Sequence, residues 1–320
     1  MKVIYGIGKV KKVFKNAVLA IGVFDGIHIG HQKLIKAAVK KARSLGGPAI
    51  VMTFSPHPVQ VLKPDHYLPF VISLKHRLKI IERLDVMVCV VVHFTKRFSR
   101  LAAGEFVKRY LVDPIHPKEI FVGNDFRFGK DRSGTLEYFK EAGRTYGFKV
   151  HAITPVKGER AKIGSSRIRR MITGGKLTSA KKFLGRNVSL MGKVVRGDQR
   201  GKGLGFPTAN IHPENAVVPP TGVYAVYIRV NNKKFKGMAN VGLRPSFKKG
   251  NNSINVEVHI FDFQKNLYGR EIIVEFVKNI RKERTFDSKE KFIAQLKRDE
   301  IKSRAILNLN SNLENSGVRL

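Results

Sequence analysis

A single cysteine, Cys89, is present among 320 residues, which excludes any intramolecular disulfide. No Cys/His cluster has the spacing of a zinc site. No apolar run reaches the ~18 residues needed to span a bilayer, and the opening MKVIYGIGKVKKVFKN lacks the apolar core of a secretory signal. These absences predict a soluble, cytoplasmic chain. Acidic residues are scarce as well: 24 Asp and Glu stand against 61 Lys and Arg, for a net charge of +37. Such a surplus suits nucleic acid, an anionic membrane or small polyanions such as nucleotide phosphates. No block of five or more Lys or Arg occurs, and the basic positions alternate with apolar ones as on solvated helix faces. That pattern favours compositional bias and phosphate steering over specific nucleic-acid or membrane binding. A Walker loop, GxxxxGK[ST], is absent too.

The length exceeds what one core usually fills, ~250 to 300 residues, so two domains are expected. The first half alternates strand and helix. Apolar runs at Ala17–Val23, Pro48–Phe54, Val86–Phe94, Glu119–Val122 and Lys149–Thr154 read as buried strands, with helical periodicity near 31–45, 73–84, 101–111 and 132–146. Alternation of this kind predicts a parallel, doubly wound sheet with ligands at the carboxyl ends of its strands. Cys89, inside VMVCVVVHF, reads as a core residue. At the end of the first of these strands comes GVFDGIHIGHQ, where Gly26 and Gly30 allow close backbone approach and a helix N-terminus favours negative charge. His28 and His31 there can donate hydrogen bonds to phosphate oxygens as charge develops on them. Ser55-Pro56-His57-Pro58 ends the next strand; its two prolines stiffen the loop and give His57 a structural reading. Asp125, in GNDFRFG, is the better candidate for a ligand contact. The segment IGSSRIRRMIT offers a second helix start with Ser165 or Ser166 as cap, and Arg167, Arg169 and Arg170 as phosphate-binding forks.

Beyond a helix at Leu177–Leu184, the sequence Leu184-Gly185-Arg186 reads as the domain junction. Strand patterns at Val188–Arg196, Gly222–Val230, Phe235–Val241, Ile254–Phe263 and Glu271–Val277 then follow without intervening helices, which predicts a small antiparallel barrel. A helix is expected over Ser288–Leu307 and a disordered tail over 308–320. The loop GDQRGKGLGFPTAN has a composition suited to wrapping phosphates. Thr208 and Asn210, two residues apart on an extended segment, can present oxygens to Mg2+ from one side. Glu257 is an acid inside an apolar strand, either an exposed alternate or a base.

Taken together, GVFDGIHIGH, TFSPHP, VGNDFRFG and SSRIR resemble the adenylyltransferase half of the bacterial bifunctional riboflavin kinase/FAD synthetase family. GFPTAN, GVYAV, GMANVGLRPS, EVHIFDF, LYG and RKERTFDS resemble its kinase half. The resemblance implies an α/β adenylyltransferase domain over residues 1–184, with a Rossmann-like parallel sheet. It implies a six-stranded antiparallel flavokinase barrel with a C-terminal helix over 185–307. It further implies that riboflavin and ATP give FMN and ADP in the barrel, and that FMN and a second ATP give FAD and pyrophosphate in the N-terminal domain. Flavins are then substrates and products, and Mg2+ accompanies ATP. His28 and His31 would act on the ATP phosphates, with Gly22, Phe24, Asp25, Gly26 and Gly30 in the same nucleotide turn. Ser165, Arg167 and Arg169 would form a phosphate clamp, and Gly201, Lys202 and Gly205 would hold the kinase's ATP. Asp125, Phe126 and Arg284 would contact flavin, Thr208 and Asn210 would bind Mg2+, and Glu257 would accept the proton of the ribityl hydroxyl. Gly164 stands where the family usually has serine, while Ser166 keeps a hydroxyl. An RNA-binding or aminoacyl-tRNA synthetase-like protein also uses a His-x-Gly-His turn, and a flavin-sensing regulator could keep the barrel alone. Both leave part of the motif set without a task.

Overall fold

The computed structural model describes the chain except residues 11–13, 66–67, 155–162, 198–201, 214–215, 232, 245–252 and 316–320. It divides into two compact units, Met1–Pro69 with Leu74–Ser165, and Phe70–Ser73 with Ser166–Leu320.

In the first unit, β1 (Lys2–Tyr5), β2 (Val18–Ile21), β3 (Ala49–Ser55), β4 (Val88–His93), β5 (Glu119–Gly123) and β6 (Lys149–Ile153) form one parallel sheet in the order β1-β4-β3-β2-β5-β6. β2 and β3 are buried almost throughout, as strands covered by helices on both faces must be. The chain winds one way from β2 through β3 to β4, and then returns to the other side of β2 as β5. The crevice outside the carboxyl ends of β2 and β5 is therefore the topological switch point, where open α/β sheets take their ligands. The five expected strands are present, and β1 adds a sixth on the edge beside β4. The helical stretch expected near 101–111 runs from Ala103 to Ile115 with a π-helical segment at Val107–Val112.

The second unit is a closed antiparallel barrel of β7 (Val188–Val195), β8 (Ala209–Ile211), β9 (Gly222–Val230), β10 (Lys233–Arg244), β11 (Ser253–Ile260) and β12 (Glu271–Arg281), in the order β10-β11-β8-β7-β12-β9. Closure removes the edges that a small sheet would otherwise expose. The helix Leu177–Leu184 packs on β7 and β12 through buried Leu177, Ala180 and Leu184, which places it with this unit, ahead of the glycine at which the sequence suggested the junction. The last helix, Lys289–Asn315, does not stop at Leu307: the segment expected to be a disordered tail is helical through Asn315, while 316–320 lie outside the described residues. It is fastened to the barrel. The Tyr227 hydroxyl donates to the Leu307 carbonyl at 2.8 Å, and Arg281 meets the buried Asp299 at 2.8 Å.

Opposite the switch point, where β5 begins, Glu119 is only 6% exposed. Lys41 lies 3.0 Å from one carboxylate oxygen and His151 lies 2.6 Å from the other. Burial pushes this carboxyl up, but hydrogen bonds from Lys41 and His151 outweigh it and hold the group below its ordinary 4.5. With the folded value depressed, ionised Glu119 stabilises the fold above pH 4.5, and the contribution is lost as pH falls through the folded value. Glu119→Gln should cost about 1 to 2 kcal/mol at neutral pH, the worth of hydrogen bonds to a charged group. Urea unfolding checks this: the gap from the parent protein should be widest at neutral pH and narrow progressively as pH falls below 4.5.

Candidate active sites

β2 ends at Ile21, and the chain turns through Gly22 to His28 before the helix Ile29–Ser44 begins. The turn is tight. Phe24 and Ile27 sit at positive φ and are buried, and Gly26 takes φ +86°, a conformation that L side chains rarely adopt. A Cβ at Gly22 would lie 2.9 Å from the Phe24 ring, so the ring folds back over that backbone. His28 is the N-cap of the helix, and its Nδ1 accepts the His31 N–H at 3.3 Å. In the neutral ring that bond leaves the proton on Nε2, which makes His28 a donor at its far edge. The two imidazoles stack with centroids 3.6 Å apart, and the Phe24 ring meets His31 edge-on at 5.3 Å. Phe24 thus supports the histidine pair from below.

What holds the turn is a residue the sequence reading passed over. Arg77, on the helix Leu74–Glu82, is fully buried and donates from Nη1 to the Val23 carbonyl at 2.5 Å, to Thr53 Oγ1 at 3.1 Å and to the Phe54 carbonyl at 3.4 Å. Thr53 Oγ1 donates in turn to the same Val23 carbonyl at 2.9 Å. Burial lowers the Arg77 pKa, and the charge of Asp25, itself 1% exposed, acts against that shift. Its signal lay in the periodicity: in LKHRLKII, Arg77 stands three residues from Leu74 and four from Ile81, on the apolar face. Cys89 packs in the same core with its thiol pushed up to about 12 by burial, which removes it as a nucleophile.

Ser165, the last residue of the first unit, donates its hydroxyl to the Asp25 carbonyl of the turn at 2.7 Å. Arg167 lies over the Phe183 ring at 4.9 Å, and buried Arg169 reaches the Ser166 hydroxyl at 3.4 Å. Asp125 follows β5 directly and is exposed, on the other flank of the switch point from the histidine turn. Phe126 is half-buried and stacks on Phe128 at 5.5 Å, within the aromatic cluster of the core. His57 caps the short helix Pro58–Leu62 through the Val59 N–H, the structural part its prolines suggested.

The barrel holds a cavity of about 350 Å³, lined among others by Phe206, Thr208, Asn210, Glu257, Glu283 and Arg284. Strand pairing sets its polar wall: Asn210 on β8 and Asn240 on β10 both stand opposite Glu257 on β11. Asn255, two residues from Glu257 and on the same strand face, donates at 3.0 Å both to Glu257 Oε1 and to Asn210 Oδ1. The sequence reading named Asn210 and Glu257 and missed the amide that joins them, although N-x-E on one strand is a period-two signal. Asn210 also fixes the backbone before it. A Cβ at Gly197 would lie 2.0 Å from Asn210 Nδ2, so only glycine lets the chain pass there. Arg284 lies over the Phe286 ring at 5.0 Å and hydrogen-bonds Gln295 on the last helix. Gly205 takes φ +79° just before buried Phe206. Gly201 and the Lys202 side chain lie outside the described residues.

The wall suits a hard cation shared with phosphates. Thr208 and Asn210 would offer a Mg2+ ion neutral oxygens, with the Glu257 carboxylate beside them. Among the described residues, no group of three or more His, Cys, Asp or Glu could hold a metal unaided.

Comparison with known proteins agrees with this division. A family profile described as FAD synthetase matches residues 10–167, and one described as riboflavin kinase matches 184–307. Proteins described as bifunctional riboflavin kinase/FMN adenylyltransferase are similar along nearly the whole chain. That of Buchnera aphidicola subsp. Schizaphis graminum is 37% identical, covering 93% of this chain and 96% of its own. That of Escherichia coli K12 is 34% identical over 97% and 99%. A crystal structure described as a macrolide-efflux protein from Streptococcus pneumoniae is 33% identical, covers 95% of this chain and 99% of its own, and superposes with a TM-score of 0.83. That description names transport, yet no helix among the described residues is long and apolar enough to cross a membrane. With two family profiles in order and relatives matched end to end, the chain belongs to the bifunctional riboflavin kinase/FMN adenylyltransferase family.

Proposed function

We propose that the two units run consecutive steps of flavin cofactor synthesis, phosphorylation of riboflavin to FMN in the barrel and adenylylation of FMN to FAD in the N-terminal sheet. The chain carries both activities of its family, with ATP, riboflavin and FMN as substrates. The observation that carries the reading is that the histidine turn stands at the sheet switch point of one folded unit, while the Asn210-Asn255-Glu257 wall stands in the barrel cavity of the other. Synthetase-like, RNA-binding and sensor readings give that wall no chemistry. We also propose a cytoplasmic enzyme without specific nucleic-acid or membrane partners, consistent with a dispersed charge.

In the N-terminal unit, a phosphate oxygen of FMN attacks the α-phosphorus of ATP and pyrophosphate leaves. His28 and His31 donate to oxygens whose charge grows in that step, beside a helix N-terminus that favours the same charge. Asp125 and Phe126 flank the site as flavin contacts. The parts assigned to Asp25, Arg167 and Arg169 as nucleotide ligands rest on the motifs alone. In the barrel, the ribityl hydroxyl attacks the γ-phosphorus and Glu257 takes its proton, held in place by Asn255. Thr208 and Asn210 would hold Mg2+, which neutralises phosphate charge when bound. Gly205 lets the loop approach ATP, and Arg284 contacts flavin at the cavity mouth.

Three substitutions test the assignment. His28→Asn keeps an N-cap acceptor but removes the imidazole, so FAD formation should fall roughly a hundredfold in kcat while riboflavin phosphorylation survives. Glu257→Gln should do the reverse, lowering riboflavin turnover by about 10² to 10⁴ and sparing FAD formation from supplied FMN. One chromatographic assay, run with riboflavin and then with FMN, reads both; near-normal riboflavin turnover would remove Glu257 from the mechanism. Gly197→Ala forces Asn210 aside and should lower phosphorylation at least about tenfold, with a raised Mg2+ requirement, as loss of support around a metal site does.

A further inference from the structure

The three-residue strand β8 is too short to hold Thr208. Its pairing with β11 covers Ala209, Asn210 and Ile211 and stops there, and the next residue but one toward the N-terminus is Pro207, which has no N–H to extend a ladder. Where the backbone pairing ends, a side chain from β11 continues it. His259 Nδ1 lies 2.8 Å from the Pro207 carbonyl, and because a carbonyl only accepts, that nitrogen carries the proton. The ring is fixed by more than this bond: it meets Phe206 at 5.3 Å and Phe261 at 5.7 Å, both buried in the barrel core. Thr208 thus sits between two restraints, the strand pairing that starts at Ala209 and the imidazole clamp on Pro207.

We propose that His259 is a positioning residue of the kinase site, a side-chain extension of the β8–β11 ladder that sets the Thr208 hydroxyl beside the Asn210 amide oxygen. It rests on the kinase reading above, and it gives EVHIFDF a part beyond its glutamate. A segment carrying Gly203 and Gly205 just upstream has little stiffness of its own. Without the clamp, Thr208 loses its fixed distance from Asn210, and oxygens that must meet one octahedral ion no longer converge.

Two variants of the full chain separate the donor from the ring. His259→Phe keeps an aromatic against Phe206 and Phe261 but cannot donate; His259→Asn loses the ring and keeps an amide N–H near the position of Nδ1. The first readout needs neither metal nor substrate: hydrogen–deuterium exchange over residues 206–211. Exchange should quicken in His259→Phe and stay close to the parent rate in His259→Asn. The second is the Mg2+ dependence of ADP binding by calorimetry, with riboflavin phosphorylation alongside. His259→Phe should weaken Mg2+-dependent binding and kcat/KM for ATP by roughly 10- to 100-fold, the usual effect of losing an outer support of a metal site. His259→Asn should recover most of it, and FAD formation from FMN should be unchanged in both. Unchanged exchange in His259→Phe, or equal losses in the two variants, would overturn the clamp. Failure of the parent protein itself to phosphorylate riboflavin would remove the kinase reading, while the exchange comparison would still decide whether His259 orders the loop.

Discussion

A β-strand that ends beside a ligand leaves its last carbonyls without ladder partners, and both sites in this chain are organised around satisfying them. In the N-terminal unit the buried Arg77 takes the Val23 and Phe54 carbonyls at the ends of β2 and β3. A buried cation is costly unless it is bonded on several sides. Thr53 adds a third acceptor for the same Nη1, and the nearby charge of Asp25 favours the cation, so the turn is braced from within. The helix Ile29–Ser44 starts from that braced turn, the proposed phosphate site. In the barrel the same need is met by a neutral group, the His259 ring, which takes the Pro207 carbonyl beyond the last ladder pair.

The excess of +37 takes on a different meaning once its ion-paired members are located. Arg304 grips Asp262 with both arms of its fork and reaches Glu300 at 2.8 Å. Hydrogen bonds to Asp262 and Glu300 outweigh its desolvation, so its pKa is raised. The same guanidinium lies 4.4 Å over Phe261. Together with Arg281 on Asp299, this fastens the last helix across the barrel, where Phe292 and Leu296 close one side of the cavity. A planar fork does this better than an ammonium would.

The fold was legible because buried parallel strands read as unbroken apolar runs and barrel strands as β-branched ones. What escaped was short or lacked period. β1, KVIY, is a four-residue edge strand, and β8, ANI, is too brief to show alternation inside a loop rich in glycine. Helix continued past Leu307 because NLNSNLEN has weak propensity against it and no glycine or proline to stop it, so the preceding turns propagate. The motif residues themselves were visible, since glycine, histidine and a lone acid stand out against their surroundings. Arg77 and His259 were not, because their significance lies in partners distant along the chain: Val23 is 54 residues from Arg77 and Pro207 is 52 from His259.

The two sites also differ in how they balance charge, and the difference bears on the cation proposed for the kinase site. At the histidine turn the nearby carboxylate, Asp25, is buried and lies within the field of Arg77, so an incoming triphosphate meets a helix N-terminus and two imidazoles. The barrel cavity instead has two carboxylates on its wall, Glu257 and Glu283. Its arginines are engaged elsewhere, Arg281 with Asp299 and Arg284 with Gln295. A polyphosphate brought beside a carboxylate poised to accept a proton would be repelled at close range, by about 4 kcal/mol for unit charges 4 Å apart at an effective dielectric of 20. The neutral oxygens of Thr208 and Asn210 cannot offset that by themselves. In the proposed kinase site they would hold an ion that does, and that requirement would account for placing a hydroxyl and an amide, in place of a lysine, next to Glu257.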